Sequence, residues 1–190
     1  MRIDFRVQGK PPASGLIVSN HLSYLDILIY GAIAPCVFVS KAEVKKWWVF
    51  GALATNAGTV YVDRSRRTDT RNANDRIRSA LQEGVPVVVF PEGTSSDGTD
   101  VLPFYASLLE PAIEASTPIT PAYLSYMIED GTVGRDIAYW GDMTFFPHLL
   151  RLLSRKGVKA EVRFSASART FADRKVAATE LRDEVLRLRG

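Results

Sequence analysis

Residues 20–26 (NHLSYLD) contain the first side chains in this sequence whose types and spacing could do chemistry. The apolar run 16–18 before them is typical of a buried strand, and the run 27–34 after them favours a buried helix. The segment therefore turns from strand to helix, and His21 is expected at the corner, where it can project into a cleft. Because histidine titrates near neutral pH, an uncharged His21 could act as a general base.

Asp26 follows His21 by five residues, and two interpretations of this acid are open. In one, Ser23 is a helix N-cap and Asp26 is the acid three positions later, as in a capping box. In the other, the Asp26 carboxylate binds the far nitrogen of His21, fixes its tautomer and stabilises the imidazolium that forms. Residues five apart on a helix lie on different faces, so the pair can meet only if His21 precedes the helix. The two interpretations are compatible, since a carboxylate has two oxygens.

Apolar runs of strand length alternate with helical patterns along the chain. Strands are predicted for residues 2–7, 16–18, 36–40, 59–62, 87–90, 118–126, 137–140 and 158–164, and helices for residues 27–34, 68–83, 104–115, 146–154 and from 173 onward. The first strand is expected at an edge of the sheet. This order predicts a single α/β domain over residues 1–190, a sandwich of a mostly parallel or mixed sheet flanked by helices.

Three polar loops, residues 20–26, 63–64 and 91–98, each follow a predicted strand. Loops at the carboxyl ends of strands in an α/β sheet share one edge, where ligands bind. An arginine such as Arg64 matches a phosphate with two parallel hydrogen bonds, and the turn at Gly93 can point backbone N–H groups at an anion. Glu92 is expected to accept a hydrogen bond from a substrate hydroxyl or to hold Arg64. Two well-separated histidines predict no metal site.

Four blocks in this order, residues 20–26 with their HX4D spacing, 58–64, 89–96 and 118–122, resemble the motifs of the glycerolipid acyltransferase family. That family includes the 1-acylglycerol-3-phosphate acyltransferases, and the resemblance covers residues 9–126. It implies that His21 is the catalytic base and that Asp26 is its partner. By the same resemblance the phosphate-bearing acceptor binds at Arg64, Glu92, Gly93, Thr94, Asn20 and Ser23, and the block around Pro121 shapes the lipid side of the site.

The resemblance also implies the reaction, an O-acyl transfer in phospholipid biosynthesis. The donor is acyl-CoA or acyl carrier protein, a co-substrate rather than a cofactor, and the acceptor is a lysolipid, 1-acyl-sn-glycerol-3-phosphate. A basic residue common in the family at the position of Ser95 is missing, which reduces the positive charge there. Residues 94–98, 102–104, 140–143 and 147–150 are more similar to the branch that acylates lyso-ornithine lipid, so this lipid is the alternative acceptor.

Two rival functions compete with this reaction. A serine hydrolase using Ser95 lacks the second glycine of a nucleophile elbow. A non-enzymatic lipid-binding module could use Trp47, Trp48 and the arginine cluster of residues 64–78, which has six arginines against two aspartates. Without interleaved aromatic residues the cluster does not indicate nucleic acid, and an anionic membrane is the expected partner. His148, the second histidine, is expected to pack at a helix start.

Composition sets the remaining expectations. A chain of 190 residues, 46% of them apolar, can bury one substantial core. The single cysteine, Cys36, suits a reducing compartment and a place in the core. The longest uncharged stretch, residues 47–62, falls short of the ~20 apolar residues that a spanning helix needs. We therefore expect no signal peptide, no transmembrane helix, and a cytoplasmic protein peripheral to the inner face of the cell membrane.

Overall fold

The computed structural model describes the backbone of residues 1–41, 60–62 and 67–190 and the side chains of residues 1–39 and 74–190. The described strands are β1 (Arg2–Gln8), β2 (Leu16–Ser19), β3 (Val37–Lys41), β4 (Val60–Val62), β5 (Val87–Val89), β6 (Ile119–Ile128) and β7 (Gly157–Phe164). The described α-helices are α1 (Leu25–Ile33), α2 (Arg67–Gln82), α3 (Glu110–Glu114), α4 (Phe145–Leu153) and α5 (Arg174–Arg189). A 3-10 turn (Ala106–Leu108) and a π-helical turn (Val133–Ile137) complete the list.

The strands form a seven-stranded sheet in the order β1-β7-β6-β2-β5-β3-β4. Strands β2 to β6 run parallel to one another, whereas β7 is antiparallel to β6 and pairs in parallel with β1. The predicted α/β fold with a mostly parallel, mixed sheet is confirmed, and β1 lies at an edge as expected. The central strands β2 and β5 are buried along their whole length, which explains their uninterrupted apolar sequences.

Alternate residues of the central strands face two helical layers. Ile17 and Val88 point toward one core, which α1 and α4 cover with side chains such as Ile29 and Leu152. Leu16 and Val89 point toward the other core, covered by α2, α3 and α5. Helices on both faces of the sheet make the predicted sandwich, and they leave the carboxyl ends of the parallel strands open at one edge.

The last helix begins and packs as the sequence predicted. The Asp173 carboxylate caps α5 by accepting hydrogen bonds from the backbone N–H groups of Lys175 and Val176. Ala177, Leu181 and Val185 are buried along one face of this helix. At 16 residues, α2 and α5 are the longest helices of the described chain. No helix within the described ranges combines the length and the apolar character needed to cross a bilayer.

Two predicted elements are wrong. Residues 104–115 do not form one helix but a 3-10 turn followed by α3, which holds Pro111 in its first turn, where a missing N–H costs nothing. Residues 137–140 are not a strand. The pattern looked like a strand because Ile137 and Ala138 are fully buried apolar residues. The Tyr139 N–H donates to the Leu22 carbonyl oxygen at 2.8 Å and not to a neighbouring strand. This segment therefore supports the His21 corner.

Candidate active site

The corner between β2 and α1 is tied to the neighbouring strand by Asn20. The Asn20 carboxamide donates to the Leu124 carbonyl oxygen at 2.9 Å and accepts from the Leu124 N–H at 2.8 Å. A side chain thus takes the place of the next strand residue where β2 stops, and residue 21 follows from a fixed point. Asn20 is 3% exposed, so its predicted contact with substrate stays a prediction, while its contact with β6 is a structural fact.

His21 and Asp26 meet at the carboxyl edge of the sheet. His21 Nδ1 lies 2.7 Å from Asp26 Oδ2, and the Asp26 side chain is fully buried while that of His21 is 22% exposed. The imidazole stacks on the Phe90 ring with 4.3 Å between centroids and 14° between planes. With Nδ1 engaged by the carboxylate, Nε2 is the ring nitrogen left to exchange a proton with a ligand.

The dyad interpretation of Asp26 holds in the folded protein, whereas the capping interpretation holds only for the carboxylate, because the N-cap residue of α1 is Tyr24 and not Ser23. Asp26 Oδ2 also accepts from the backbone N–H groups of Leu22 at 2.8 Å and Ser23 at 3.1 Å, the second as in a capping box. The Ser23 hydroxyl makes only a long contact with the Leu25 N–H, at 3.4 Å, and α1 begins at Leu25. Ser23 is fully buried, so its predicted role in binding substrate stays a prediction.

Glu92 fixes the main chain on which the imidazole is carried. Its Oε1 accepts from the His21 N–H at 2.9 Å and its Oε2 from the Leu102 N–H at 3.1 Å. The residue is 1% exposed, and this burial raises the pKa of Glu92 to about 7 although both backbone hydrogen bonds favour the charged form. The predicted contact of Glu92 with the acceptor stays a prediction, since its carboxylate faces the backbone.

The rest of the 91–98 loop is held on both sides of its turn. Gly93 has a φ of +69°, a conformation that glycine adopts without strain, and its N–H donates to the Phe90 carbonyl oxygen at 3.1 Å. The Ser96 N–H donates to the His21 carbonyl oxygen at 2.9 Å, and the Ser95 hydroxyl donates to the Tyr139 carbonyl oxygen. Thr94 lies exposed at the tip, so it is the predicted loop residue most open to a ligand.

Of the remaining predicted site residues, one is buried within the sheet and the others lie outside the described residues. Pro121 is buried within β6 opposite Val18. Arg64 lies outside the described residues, as do Trp47 and Trp48. Of the arginine cluster, Arg78 is already paired with Asp75 and Glu114, at 2.7 and 2.6 Å. Within residues 1–39 and 74–190, no three His, Cys, Asp or Glu side chains are grouped to bind a metal ion.

Tyr126 is a part of the site that the sequence analysis missed. Its hydroxyl donates to Asp26 Oδ1 at 2.7 Å, so both oxygens of the carboxylate are engaged. Burial, with a further contribution from Asp26, holds the pKa of Tyr126 well above its ordinary value, and the phenol stays a donor at all physiological pH values. The available signal was the alternation of β6, which puts Ala122, Leu124 and Tyr126 on the face toward α1.

A second link that the sequence did not reveal joins the corner to α4. The Tyr24 hydroxyl and His148 Nδ1 are 3.0 Å apart, and the Tyr24 ring packs edge-on against Phe145. His148 is 2% exposed, in agreement with its predicted packing role, and burial lowers its pKa, which keeps the imidazole neutral. The chemistry-bearing corner and α4 therefore form one packed unit.

A cavity of about 710 Å³ adjoins this unit. Its walls include Leu22 and Tyr126 from the corner, Gly98 from the 91–98 loop, and Arg135 and Trp140 from the segment before α4. Leu22 and Tyr126 line the cavity, but the His21 imidazole does not.

The arrangement can be compared with known proteins. The Acyltransferase family matches residues 4–125, almost two thirds of the chain. This chain belongs to the Acyltransferase family. Among its relatives, the lyso-ornithine lipid O-acyltransferase of Pseudomonas aeruginosa is 38% identical over 151 residues, which cover 79% of this chain and 58% of that protein. The 1-acyl-sn-glycerol-3-phosphate acyltransferase of Neisseria gonorrhoeae is 36% identical over 153 residues, 80% of this chain and 60% of the other.

The fold of this acyltransferase-family chain also matches a solved structure. The crystal structure of the 1-acyl-sn-glycerophosphate acyltransferase PlsC of Thermotoga maritima superposes with a TM-score of 0.65 at 25% identity, covering 98% of this chain and 73% of that one. The predicted family membership is confirmed. The chain spans only 58% and 60% of the length of the Pseudomonas and Neisseria relatives.

Proposed function

We propose that this protein transfers a fatty acyl group from a thioester of CoA or acyl carrier protein to the free hydroxyl of a lysolipid. The observation that carries this proposal is the His21–Asp26 pair, 2.7 Å apart, with the acid buried and the base accessible at the edge of the sheet. Membership of the Acyltransferase family supports the same reaction class.

We take 1-acyl-sn-glycerol-3-phosphate as the acceptor, because the Neisseria relative and the Thermotoga structure are named for that substrate. Lyso-ornithine lipid is the second candidate. The Pseudomonas relative named for it shares 38% identity with this chain, and Ser95 stands where a basic residue would favour a phosphate. Arg64 would bind the phosphate of the first acceptor, with Thr94 at the exposed tip of the neighbouring loop.

The reaction is a direct acyl transfer. His21 Nε2 removes the proton of the acceptor hydroxyl while the hydroxyl oxygen attacks the thioester carbon. The carbon–sulfur bond then breaks, an ester remains on the acceptor, and the leaving thiolate takes the proton back from the imidazolium. Asp26 accepts a hydrogen bond from Nδ1, which leaves the lone pair of the neutral ring on Nε2, and it stabilises the imidazolium that forms. General-base assistance of this kind contributes ~10²- to 10⁴-fold, and holding the two substrates side by side adds to it.

The residues around the dyad keep its geometry rather than react. Phe90 supports one face of the imidazole, and Glu92 holds the backbone of His21. Tyr126 donates to Oδ1 of Asp26, the carboxylate oxygen that does not bind His21. Such pre-organisation matters because a misplacement of about 1 Å costs ~10²-fold in rate. No metal or further cofactor is part of the proposed reaction, and peripheral contact with an anionic membrane at the inner face of the cell membrane supplies the lipids.

The test is a transfer assay with lysophosphatidate and lyso-ornithine lipid, each offered with acyl-CoA and acyl carrier protein donors. His21→Ala should nearly abolish transfer and leave the protein folded, because the ring is partly exposed, although its melting temperature should fall somewhat as the buried Asp26 loses one of its hydrogen bonds. Ser95→Ala serves as the matched control and should retain transfer, since the Ser95 hydroxyl binds the Tyr139 carbonyl. Transfer that survives in His21→Ala rejects the dyad, and labelling of Ser95 by a fluorophosphonate would support a hydrolase instead.

A further inference from the structure

The outward side of α4 is apolar and open to solvent. Phe146, Leu150 and Leu153 are 66%, 56% and 52% exposed, and Pro147 beside them is exposed as well. Spacings of four and three residues place these side chains on one face of the helix, which we call the α4 outer face. Helices on the surface of soluble proteins turn a polar face to water, so a contiguous apolar face marks an interaction site.

The opposite side of α4 is anchored, so the α4 outer face cannot turn inward. His148 and Leu152 are 2% and 1% exposed, and Leu152 lies in the core beneath α1. The link between His148 and Tyr24 fixes the rotation of the helix about its axis. Exposure of the apolar residues is therefore a property of the packed fold and not of a loosely attached helix.

The surroundings of the α4 outer face are those of a membrane interface. Trp140 is 40% exposed, and its indole N–H donates to the Gly134 carbonyl oxygen at 2.8 Å. Tryptophan is favoured at the boundary between lipid headgroups and acyl chains. The Trp140 ring is thus held at the surface in the segment that leads into α4.

Cationic side chains border the same surface. Arg135 and Arg151 form no ion pair among the residues whose side chains are described, and the Arg151 guanidinium donates to the Arg135 carbonyl oxygen at 3.3 Å. Lys156 adds a further positive charge, with the Asp130 carboxylate accepting from its backbone N–H at 3.1 Å. Arg155 is balanced by Asp136 at 4.0 Å, and exposed Asp142 reduces the positive charge without cancelling it. Arginine and lysine beside an apolar strip match the headgroups of an anionic lipid layer.

We propose that the α4 outer face is the surface through which this protein docks on an anionic lipid bilayer. The proposal rests on the proposed function, since the acceptor of that reaction is a lysolipid and its product is a membrane lipid. A second copy of the chain fits less well, because the same cations would face each other. A nine-residue helix is only about 14 Å long, too short to supply the ~800 Å² per partner that a stable dimer buries.

Docking through this face has a consequence for the active site. The inner side of α4 contacts Tyr24, two residues before Asp26, so the helix that meets the lipid also supports the catalytic corner. The distance from membrane to dyad is thereby set by one rigid unit.

The test is co-sedimentation of the full chain with phosphatidylcholine vesicles, with and without phosphatidylglycerol. The double variant Phe146→Ser/Leu150→Ser should bind the anionic vesicles at least tenfold more weakly than the native protein. The matched control is Met127→Ser/Val176→Ser, which removes two side chains of similar exposure, 58% and 50%, from β6 and α5. The control should change vesicle binding by less than twofold, and circular dichroism checks that both variants fold.

Vesicle binding does not depend on turnover, so failure of the docking proposal and failure of the proposed reaction are separate results. If the reaction is as proposed, the α4 double variant should keep its transfer rate on a water-soluble short-chain acceptor and lose it on vesicle-borne acceptor. Equal vesicle binding by the α4 and control variants would overturn the proposal. So would a dimer in solution that the α4 substitutions convert to a monomer, since a second copy would then cover this face.

Discussion

The catalytic corner and the α4 outer face lie on one packed unit and are built on opposite principles. At the corner, the buried carboxylate of Asp26 receives four hydrogen bonds, from His21, Leu22, Ser23 and Tyr126. At the α4 outer face, large apolar side chains are more than half exposed and need no directed partner. The corner fixes the orientation of the His21 imidazole, whereas the α4 outer face provides apolar area for contact with a lipid bilayer.

The difference teaches how each region should respond to substitution. Buried polar groups depend on individual hydrogen bonds, each costly to lose, so single-atom changes at the corner should alter rate. Apolar area acts in proportion to its size and has no preferred direction, so changes on the α4 outer face should alter binding. Changes at the corner that lower the transfer rate should therefore leave vesicle binding unchanged.

The largest effect is expected for Asp26→Asn. The amide can still accept one backbone N–H, but it carries no charge to stabilise the imidazolium, so kcat should fall by ~10²- to 10⁴-fold. Steady-state kinetics measures the loss, and vesicle co-sedimentation should be unchanged. Asp183→Asn, an exposed acid on α5, is the control and should retain full activity and vesicle binding. If Asp26→Asn weakened vesicle binding as much as transfer, the two regions would not be separable.

A smaller effect, with a defined pH dependence, is expected for Glu92→Gln. Burial raises the pKa of Glu92 from 4.5 to about 7, so between these pH values the folded protein holds a proton that the unfolded chain has released. The stability of the native protein should thus fall as pH rises from about 4.5 to about 7, by up to ~3 kcal/mol, and the untitratable variant should lack this fall.

Urea unfolding at several pH values within this window measures the difference between native protein and Glu92→Gln. Glu129→Gln is the control, because that carboxylate is exposed and paired only with Lys159 at 3.1 Å. Its unfolding free energy should follow the native pH dependence. Parallel curves for the native protein and Glu92→Gln would mean that Glu92 is charged throughout and that its two backbone hydrogen bonds outweigh its burial.

The fold was predictable wherever local sequence and burial agree. The fully buried β2 and β5 require uninterrupted apolar runs, and Asp173 marks the start of α5, so these elements were located correctly. Residues 137–140 have the apolar character of a strand, but the N–H of Tyr139 donates to the Leu22 carbonyl oxygen and that of Ala138 to the Val133 carbonyl oxygen. A local pattern records that a segment is buried and not which partner buries it.

The site was predictable to the extent that its contacts are short in sequence. His21 and Asp26 are five residues apart across a strand-to-helix corner, so their meeting follows from local geometry. The bonds from Glu92 to His21 and from Tyr126 to Asp26 span 71 and 100 residues. They depend on how β5 and β6 align with β2, and no local pattern encodes that register. The supporting residues of the dyad therefore appeared only in the folded structure.

The smallest effect is expected for Tyr126→Phe, which removes one hydroxyl and keeps the ring in the core. One hydrogen bond to a charged group is worth ~1.5–3 kcal/mol. Because Asp26 keeps its three other hydrogen bonds, we expect the low end of this range, a fall in kcat of about tenfold, while KM and vesicle binding stay unchanged. Tyr30→Phe is the matched control, because the buried Tyr30 hydroxyl donates to the Ser19 hydroxyl at 2.7 Å and does not bind Asp26. Both variants should lose similar thermal stability, measured by melting temperature, but only Tyr126→Phe should lose kcat. Equal losses of kcat would show that Tyr126 acts through the packing of the core rather than by positioning the acid.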